Sequence, residues 1–132
     1  MYKRQVQKAV QAGIDAGRII VDPGIGFGKT FAHNLQLLHH LKALQALDCP
    51  VLVGSSRKAF IRHLLKPPGE KDIRADLPIV ATGTQATVAA SALQGAHIVR
   101  VHEVADTRAT LKIVDAIRNA GTGRSDNTQG DA

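Results

Sequence analysis

A glycine-rich segment that ends in lysine and threonine, VDPGIGFGKT at residues 21–30, resembles a phosphate-binding loop. The nucleotide P-loop requires four residues between its first glycine and its Gly-Lys-Ser/Thr ending, so that successive backbone amides surround a phosphate. Here that first position is occupied by Pro23, which has no amide hydrogen to donate. The dinucleotide-binding pattern fails as well, because it would need a glycine at Lys29. The spacing therefore argues against a nucleotide site, and the charge of Asp22 would repel a polyphosphate.

Two further groups of polar residues directly follow or end short apolar segments. The segment PVLVG leads into two serines and two cations, and the segment HIVRV carries an arginine and precedes a histidine. Hydroxyl, guanidinium, ammonium and imidazole groups can all donate hydrogen bonds, so a cluster of them could bind an anionic substrate. The residues concerned are Ser55, Ser56, Arg57, Lys58, Arg100 and His102.

Several of these residues also have an ordinary structural interpretation. Asp22 precedes a proline and could close a turn. Ser55 or Ser56 is expected to cap a helix predicted at 57–65. The start of a capped helix, with its free amides and Lys58 beside it, would also suit an anion.

The apolar segments predict three β-strands, at 18–22, 50–54 and 97–101, because short runs without polar alternation are typical of strands buried on both faces. Helical patterns separate these strands, and this order indicates a parallel α/β fold. In such folds the loops at the carboxyl ends of the strands form the site, so the polar residues after each strand should converge. Arg100 and His102 are two residues apart and should lie on the same face of the third strand.

Helices are predicted at 3–16, 35–47, 84–94 and 106–120, where apolar residues recur at helical spacing. Gly95 and Gly121 follow the last two, as is typical of helix ends. The residues expected on one side of the first helix are Val6, Val10 and Ile14, and those expected to face the core from the last are Ile113, Val114 and Ile117. No strand precedes the first helix, and three strands would leave two open sheet edges, so we expect part of a larger α/β protein.

The composition is that of a globular domain, with 132 residues of which 44% are apolar and 21% charged. The formal net charge of +6 could suit nucleic acid, but the dispersed cations and 3% aromatic content fit a small anionic substrate or a solvated surface instead. Cys49 is the only cysteine and no apolar run reaches membrane length, so a cytoplasmic protein is expected. No metal site is predicted, because His39 and His40 are adjacent and would point in different directions from a helix. Together with His33 they are interpreted as helix-surface residues.

Three long motifs, DPGIGFGKTFAHN, VLVGSSRKAFI and GAHIVRVHEV, are similar in order and spacing to the C-terminal motifs of the dihydropteroate synthase family. The resemblance covers residues 1–120 as the C-terminal part of a pterin-binding TIM barrel and leaves 121–132 as a flexible polar tail. It implies a partial (β/α)8 barrel made of the last three strand–helix units and a preceding helix. It also implies the condensation of dihydropterin-hydroxymethyl diphosphate with p-aminobenzoate in folate biosynthesis, with Mg²⁺ as cofactor and a homodimer for the complete enzyme.

The resemblance assigns roles residue by residue. Asp22 would hydrogen-bond the pterin ring, Gly26 would let the backbone approach, and the ring of Phe27 would pack on p-aminobenzoate. The remaining roles concern the second and third motifs: Gly54 for the pterin, Ser56 for the p-aminobenzoate carboxylate, Lys58 for both substrates, and Arg100 and His102 for the leaving diphosphate. Lys58, Arg100 and His102 are the candidate catalytic residues, and the role of Arg57 is left open.

The sequence departs from this family in its extent. A complete barrel has eight strands, whereas three are predicted here, and the family's metal-associated asparagine has no counterpart in this chain. Several interpretations stay open: a fragment with little activity alone, a half-barrel that needs a separate N-terminal partner, a non-catalytic remnant, or a pterin-binding methyltransferase domain.

Overall fold

Short parallel strands lie at the centre of the structure, a computed structural model that describes residues 1–121. Strands β1 (Leu52–Val53) and β2 (Ile98–Val99) pair in parallel, with Leu52 opposite Ile98. The first predicted strand is reduced to one parallel bridge between Val21 and Val51. The amide of Leu52 donates to the Val21 carbonyl, and the Val53 carbonyl accepts from Arg100, so β1 lies between the two other segments.

Helices surround these strands along the described part of the chain. They are α1 (Tyr2–Gln11), α2 (Phe31–His39), α3 (Ala59–Leu65), α4 (Pro78–Leu93) and α5 (Val104–Ala120), with 3₁₀ helices at Ala16–Arg18 and Leu41–Leu47. Each extended segment is followed by a helix, which confirms the predicted parallel α/β order. The arrangement is that of three strand–helix units and a preceding helix of a partial (β/α)8 barrel.

The helix boundaries differ from the predicted ones for local reasons. Helix α1 ends at Gln11 rather than near residue 16, since Gly13 adopts a left-handed backbone with φ +92°. The leucine-rich segment is divided at His40 into α2 and a 3₁₀ helix. Helix α4 begins at Pro78, ahead of the predicted start, because proline suits the first helical turn.

Two apolar residues of α5 were predicted wrongly. Val114 is buried as expected, but Ile113 and Ile117 are 62% and 67% exposed. Periodicity identifies the side of a helix that carries apolar residues, but the packing partner decides how wide the buried part of that side becomes. Of the predicted polar tail, residues 122–132 lie outside the described part of the chain.

The hydrophobic core lies between the strands and helices α2, α3 and α4. Its buried members are Ile25, Leu38, Leu41, Val51, Val53, Phe60, Ile61 and Val80. The segment between α3 and α4, residues 66–77, packs Ile73 and Leu77 against this core. It is also tied to α3 by the forked ion pair of Arg62 with Asp72, whose Nη2–Oδ2 distance is 2.9 Å. Residues 78–83, which lie between the helices predicted at 57–65 and 84–94, belong to α4.

Gly83 lets α3 and α4 approach closely, and we expect Gly83→Ala to destabilise the protein. An added Cβ would lie 2.6 Å from Cγ2 of Ile61 and 2.7 Å from Cδ1 of Leu65. Overpacking costs about 1–3 kcal/mol and exceeds the gain of about 1 kcal/mol in helix propensity. The free energy of unfolding, measured in urea, should fall by roughly 1 kcal/mol. Gly121→Ala is the matched control, because nothing lies within 4 Å of its added Cβ; equal effects of both changes would contradict the prediction.

Candidate active site

The loops that follow β1 and β2 enclose an open cavity of about 520 Å³. Five of the predicted site residues lie in its wall: Gly54, Ser56, Lys58, Arg100 and His102. Arg57, Ala75 and Val101 complete the lining. The prediction that the second and third polar groups converge at the carboxyl ends of the strands is therefore confirmed for the geometry, while their roles stay predictions.

The glycine-rich loop is held by its own lysine. The ammonium of Lys29 donates to the carbonyl oxygens of Gly24 at 2.9 Å and of Phe27 at 3.0 Å. The carboxylate of Asp22 accepts from the Gly24 amide at 2.8 Å. A lysine that binds the carbonyls of its loop is not presented to a phosphate, which agrees with the argument from spacing against a P-loop.

Asn34 anchors the same loop from helix α2. It is 2% exposed, its Oδ1 accepts from the Gly26 amide at 2.7 Å, and its Nδ2 donates to the Thr30 carbonyl at 2.9 Å. Thr30 caps α2 by accepting from the amide of His33 at 3.1 Å. Asn34 was not predicted as a site residue; an asparagine four residues after Thr30, directly beyond the glycine-rich loop, is the signal in the sequence that could have indicated a loop anchor.

Lys58 links the glycine-rich loop to the cavity. Its ammonium lies 4.0 Å from the centre of the Phe27 ring, in a cation–π contact. Its aliphatic stem covers Gly26, since a Cβ added there would lie 2.8 Å from Cδ of Lys58. Gly26 also has φ +85°, a conformation that other residues rarely adopt. The structure thus brings together three of the predicted residues, from two loops.

Arg100 lies over Gly54 at the end of β1. A Cβ added at Gly54 would be 3.3 Å from Nε and 3.5 Å from Nη2 of Arg100. The Arg100 side chain is exposed and makes no ion pair within the described part of the chain. Its guanidinium is therefore free to bind an anion in the cavity.

The predicted capping by serine is wrong. The hydroxyl of Ser55 bonds that of Thr87 at 2.7 Å, and the hydroxyl of Ser56 bonds Nδ1 of His102 at 2.7 Å. Helix α3 begins after Lys58 without a side-chain cap. The cause is a turn in which the Lys58 amide donates to the Ser55 carbonyl, so the helix starts beyond the serines.

Arg57 and Glu103 form an ion pair that was not predicted from the sequence. Nε of Arg57 donates to Oε1 of Glu103 at 2.9 Å, and Nη2 donates to the same oxygen. The guanidinium lowers the pKa of the Glu103 carboxyl below its usual value, against the opposing effect of burial. Oε2 of Glu103 is buried without a hydrogen-bond partner among the described residues. The open role of Arg57 thus includes an ion pair beside His102.

Asp22 and Phe27 stand apart from the cavity lining. Asp22 is exposed at the end of the first extended segment, and Phe27 is 61% exposed and reaches the cavity only through Lys58. Both residues lie at the predicted end of the strands, but they do not line the cavity that Arg100 lines.

The donor set suits an anion rather than a metal ion. Within residues 1–121, no group of three or more His, Cys, Asp or Glu side chains is placed to hold a metal. Glu103 is the carboxylate next to the cavity wall, and Arg57 already binds it. The residues present therefore do not fit the Mg²⁺ that the family resemblance implied. None of the helices in the described part is long and apolar enough to cross a membrane.

Comparison with known proteins places the chain in a family. The model of the family described as "Pterin binding enzyme" matches residues 1–102. The chain belongs to this family of pterin-binding enzymes.

Similar proteins with assigned names support this family membership and carry a more specific name. The chain is 42% identical over 116 residues to the dihydropteroate synthase of Bacillus subtilis, covering 88% of the chain and 38% of that protein. It is 38% identical over 120 residues to the Escherichia coli enzyme of the same name, covering 90% of the chain and 39% of that protein. The chain thus spans about two fifths of the length of the curated relatives it matches.

Solved structures agree with these relatives. The dihydropteroate synthase of Yersinia pestis superposes with a TM-score of 0.77 at 38% identity, covering 89% of this chain and 52% of that one. That of Xanthomonas albilineans, solved in complex with 7,8-dihydropteroate, superposes with a TM-score of 0.77 at 40% identity, covering 87% and 42%. The partial-barrel fold and the family resemblance predicted from the three motifs are confirmed.

Proposed function

We propose that this chain supplies part of the active site of a dihydropteroate synthase, which joins dihydropterin-hydroxymethyl diphosphate to p-aminobenzoate and releases pyrophosphate. The observation that carries the proposal is the convergence of Lys58, Arg100 and His102 on one cavity, with the Phe27 ring held under the Lys58 ammonium. Arg100 and His102 can donate to a diphosphate, Lys58 can pair with a carboxylate, and the aromatic ring matches an aryl amine.

Arg100 and His102 are assigned to the diphosphate. The Ser56 hydroxyl accepts from the His102 amide at 3.3 Å and bonds Nδ1 of the same residue at 2.7 Å, and we assign the hydroxyl as the donor in this second bond. A neutral imidazole that accepts at Nδ1 carries its hydrogen at Nε2 and can donate it to an anion. Ser56 is therefore proposed to orient His102 rather than to hold the carboxylate of p-aminobenzoate.

The reaction breaks the bond between the pterin methylene and the diphosphate oxygen, and the electron pair leaves with pyrophosphate. Negative charge grows on the departing oxygens, where the Arg100 guanidinium and the His102 imidazole would stabilise it. The aryl amine forms the new carbon–nitrogen bond and then loses one proton, which the departing pyrophosphate or the solvent accepts. An aryl amine is nucleophilic without prior deprotonation, so the described residues need not supply a general base.

Phe27 and Lys58 are assigned to p-aminobenzoate, and Asp22 to the pterin. Phe27 offers an exposed ring on which an aromatic substrate can stack, and the adjacent ammonium of Lys58 can pair with a carboxylate. One oxygen of Asp22 accepts from Gly24, and the other is available to the amino-pyrimidine edge of a pterin. Gly26 and Gly54 let Lys58 and Arg100 lie directly on the backbone.

The proposal assigns small-molecule substrates rather than nucleic acid or a membrane, a cytoplasmic location, and a homodimer for the complete enzyme. The dispersed cations and the single cysteine support the first two assignments. Among these assignments, that of small-molecule substrates has the most direct support from the geometry of the site.

The test is binding of dihydropterin-hydroxymethyl diphosphate and then p-aminobenzoate to the 132-residue chain, by calorimetry with magnesium present, followed by an assay for dihydropteroate. We expect saturable binding that Lys58→Ala weakens and that Lys42→Ala, an exposed lysine of the 3₁₀ helix at Leu41–Leu47, leaves unchanged. Dihydropteroate formation that depends on Lys58 would show that these residues also catalyse. A folded chain that binds neither compound, or binds both equally well without Lys58, would contradict the proposal.

A further inference from the structure

Arg57 occupies a backbone position that arginine seldom takes. It has φ +57° and is the third residue of the turn closed by the Lys58 amide and the Ser55 carbonyl at 3.2 Å. A turn with positive φ at its third residue normally contains glycine or asparagine there. A larger residue in this conformation persists where surrounding contacts hold it.

The backbone amide, the backbone carbonyl and the guanidinium of Arg57 each have a partner. Its amide donates to Oγ1 of Thr84 at 3.1 Å, and its carbonyl accepts from Nη1 of Arg62 at 2.7 Å. Its guanidinium binds Oε1 of Glu103 through Nε and Nη2. Helices α3 and α4 thus hold the backbone of Arg57, and the segment after β2 holds its side chain.

The neighbours of this pair are the residues assigned to the substrates. Ser56 and Lys58 flank Arg57 in sequence, and His102 precedes Glu103. Ser56 and His102 are themselves hydrogen-bonded. Two side-chain links therefore join the same two loops, and the Arg57–Glu103 link is the charged one.

From this arrangement we infer that Glu103 is a positioning residue, which acts through Arg57 to fix Lys58, Ser56 and His102 around the anion site. The inference rests on the proposed function, because Glu103 would support binding of the diphosphate without itself contacting the diphosphate. Glu103 is a carboxylate next to a cluster of cations, so its presence cannot be explained by direct attraction of an anion.

Charge and positioning predict opposite effects for Glu103→Gln. Removing a negative charge near the cavity should by itself strengthen anion binding. If Glu103 positions Arg57, the same change should weaken binding, because glutamine forms a weaker hydrogen bond to the guanidinium. The direction of the change in affinity therefore decides between the two explanations.

The experiment measures the affinity of the 132-residue chain for inorganic pyrophosphate by calorimetry. We expect Glu103→Gln to weaken it about tenfold, which lies within the coupling found between residues of one hydrogen-bonded network. Asp115→Asn is the charge-matched control, because it also removes one carboxylate, from an exposed pair with Arg118 on α5. It should leave the affinity unchanged or slightly higher.

Arg57→Gly separates positioning from folding. Glycine favours the positive φ, so its relief of strain offsets the loss of the ion pair, and the unfolding transition should move little. Pyrophosphate affinity should still fall about tenfold, and the double variant should be no weaker than either single one, since both remove the same link.

Unchanged or tighter binding by Glu103→Gln, or additive effects in the double variant, would overturn the inference. The proposed function would stay intact in that case if Arg100→Ala still weakens pyrophosphate binding strongly. A wild-type chain without Arg100-dependent pyrophosphate binding would overturn both. If Glu103→Gln fails to fold, Arg57→Gly alone decides, because normal affinity in that variant contradicts the positioning role.

Discussion

Replacing Arg100 with alanine is expected to weaken pyrophosphate binding about 100-fold, because a forked guanidinium contributes roughly 3 kcal/mol through charge-assisted hydrogen bonds to an anion. The guanidinium is exposed and lies on Gly54 without an ion-pair partner in the described residues. Its removal should therefore change the free energy of unfolding by less than about 0.5 kcal/mol. Calorimetric titration with pyrophosphate and urea unfolding of the same samples measure the two quantities.

Arg4→Ala is the control for the loss of one positive charge. Arg4 is exposed on α1, a helix without buried residues, so only the general attraction of the protein for anions changes. Equal affinities of the two variants would show that Arg100 binds no anion directly and would remove the main support for a diphosphate site.

Asn34→Ala is expected to lower the free energy of unfolding by about 2 kcal/mol, because it removes a buried side chain that forms two hydrogen bonds to the backbone of the loop, and opens a small cavity. The side chain binds the Gly26 amide at 2.7 Å and the Thr30 carbonyl at 2.9 Å. In the variant the Thr30 carbonyl keeps its bond from the backbone amide of residue 34, whereas the Gly26 amide loses its side-chain partner. The released loop should also lose its contact with Lys58, so binding of p-aminobenzoate should weaken together with stability. Urea unfolding and calorimetry measure these effects.

Two other variants sharpen this prediction. Asn34→Asp keeps the acceptor for Gly26 but places a carboxylate oxygen opposite the Thr30 carbonyl, so it should destabilise at neutral pH. In acid, the protonated carboxyl can donate to Thr30, and part of the loss should be recovered. Gln36→Ala, on the exposed part of α2, should stay within about 0.5 kcal/mol of the wild type. A loss at Asn34→Ala no larger than that at Gln36→Ala would refute the anchoring role.

The position of the candidate site could be predicted from the sequence, because the order of the strands determines where the residues that follow them lie. Parallel strands present their carboxyl ends on one side of a sheet, so residues after each apolar run had to meet there. Gly54, Lys58, Arg100 and His102 lie at that end as predicted. The spacing of the glycine-rich loop likewise argued against a P-loop, and Lys29 binds carbonyl oxygens of the loop itself.

Contacts between distant segments could not be predicted in this way. The Arg57–Glu103 and Ser56–His102 contacts each join residues 46 apart in sequence. Nothing in local propensity specifies which of several polar residues at a strand end will pair. The serines were therefore expected to cap a helix, whereas they bond Thr87 and His102.

By itself, the sequence determined the order of strands and helices, the end of the sheet that carries the polar residues, and the family. These depend on periodicity, turn residues and motifs, all of which are short-range. Only the tertiary structure decided how far Ile113 and Ile117 are exposed, that Asn34 anchors the loop, and that Glu103 binds Arg57. Those properties depend on which surfaces meet across the fold, because burial and pairing belong to two segments at once.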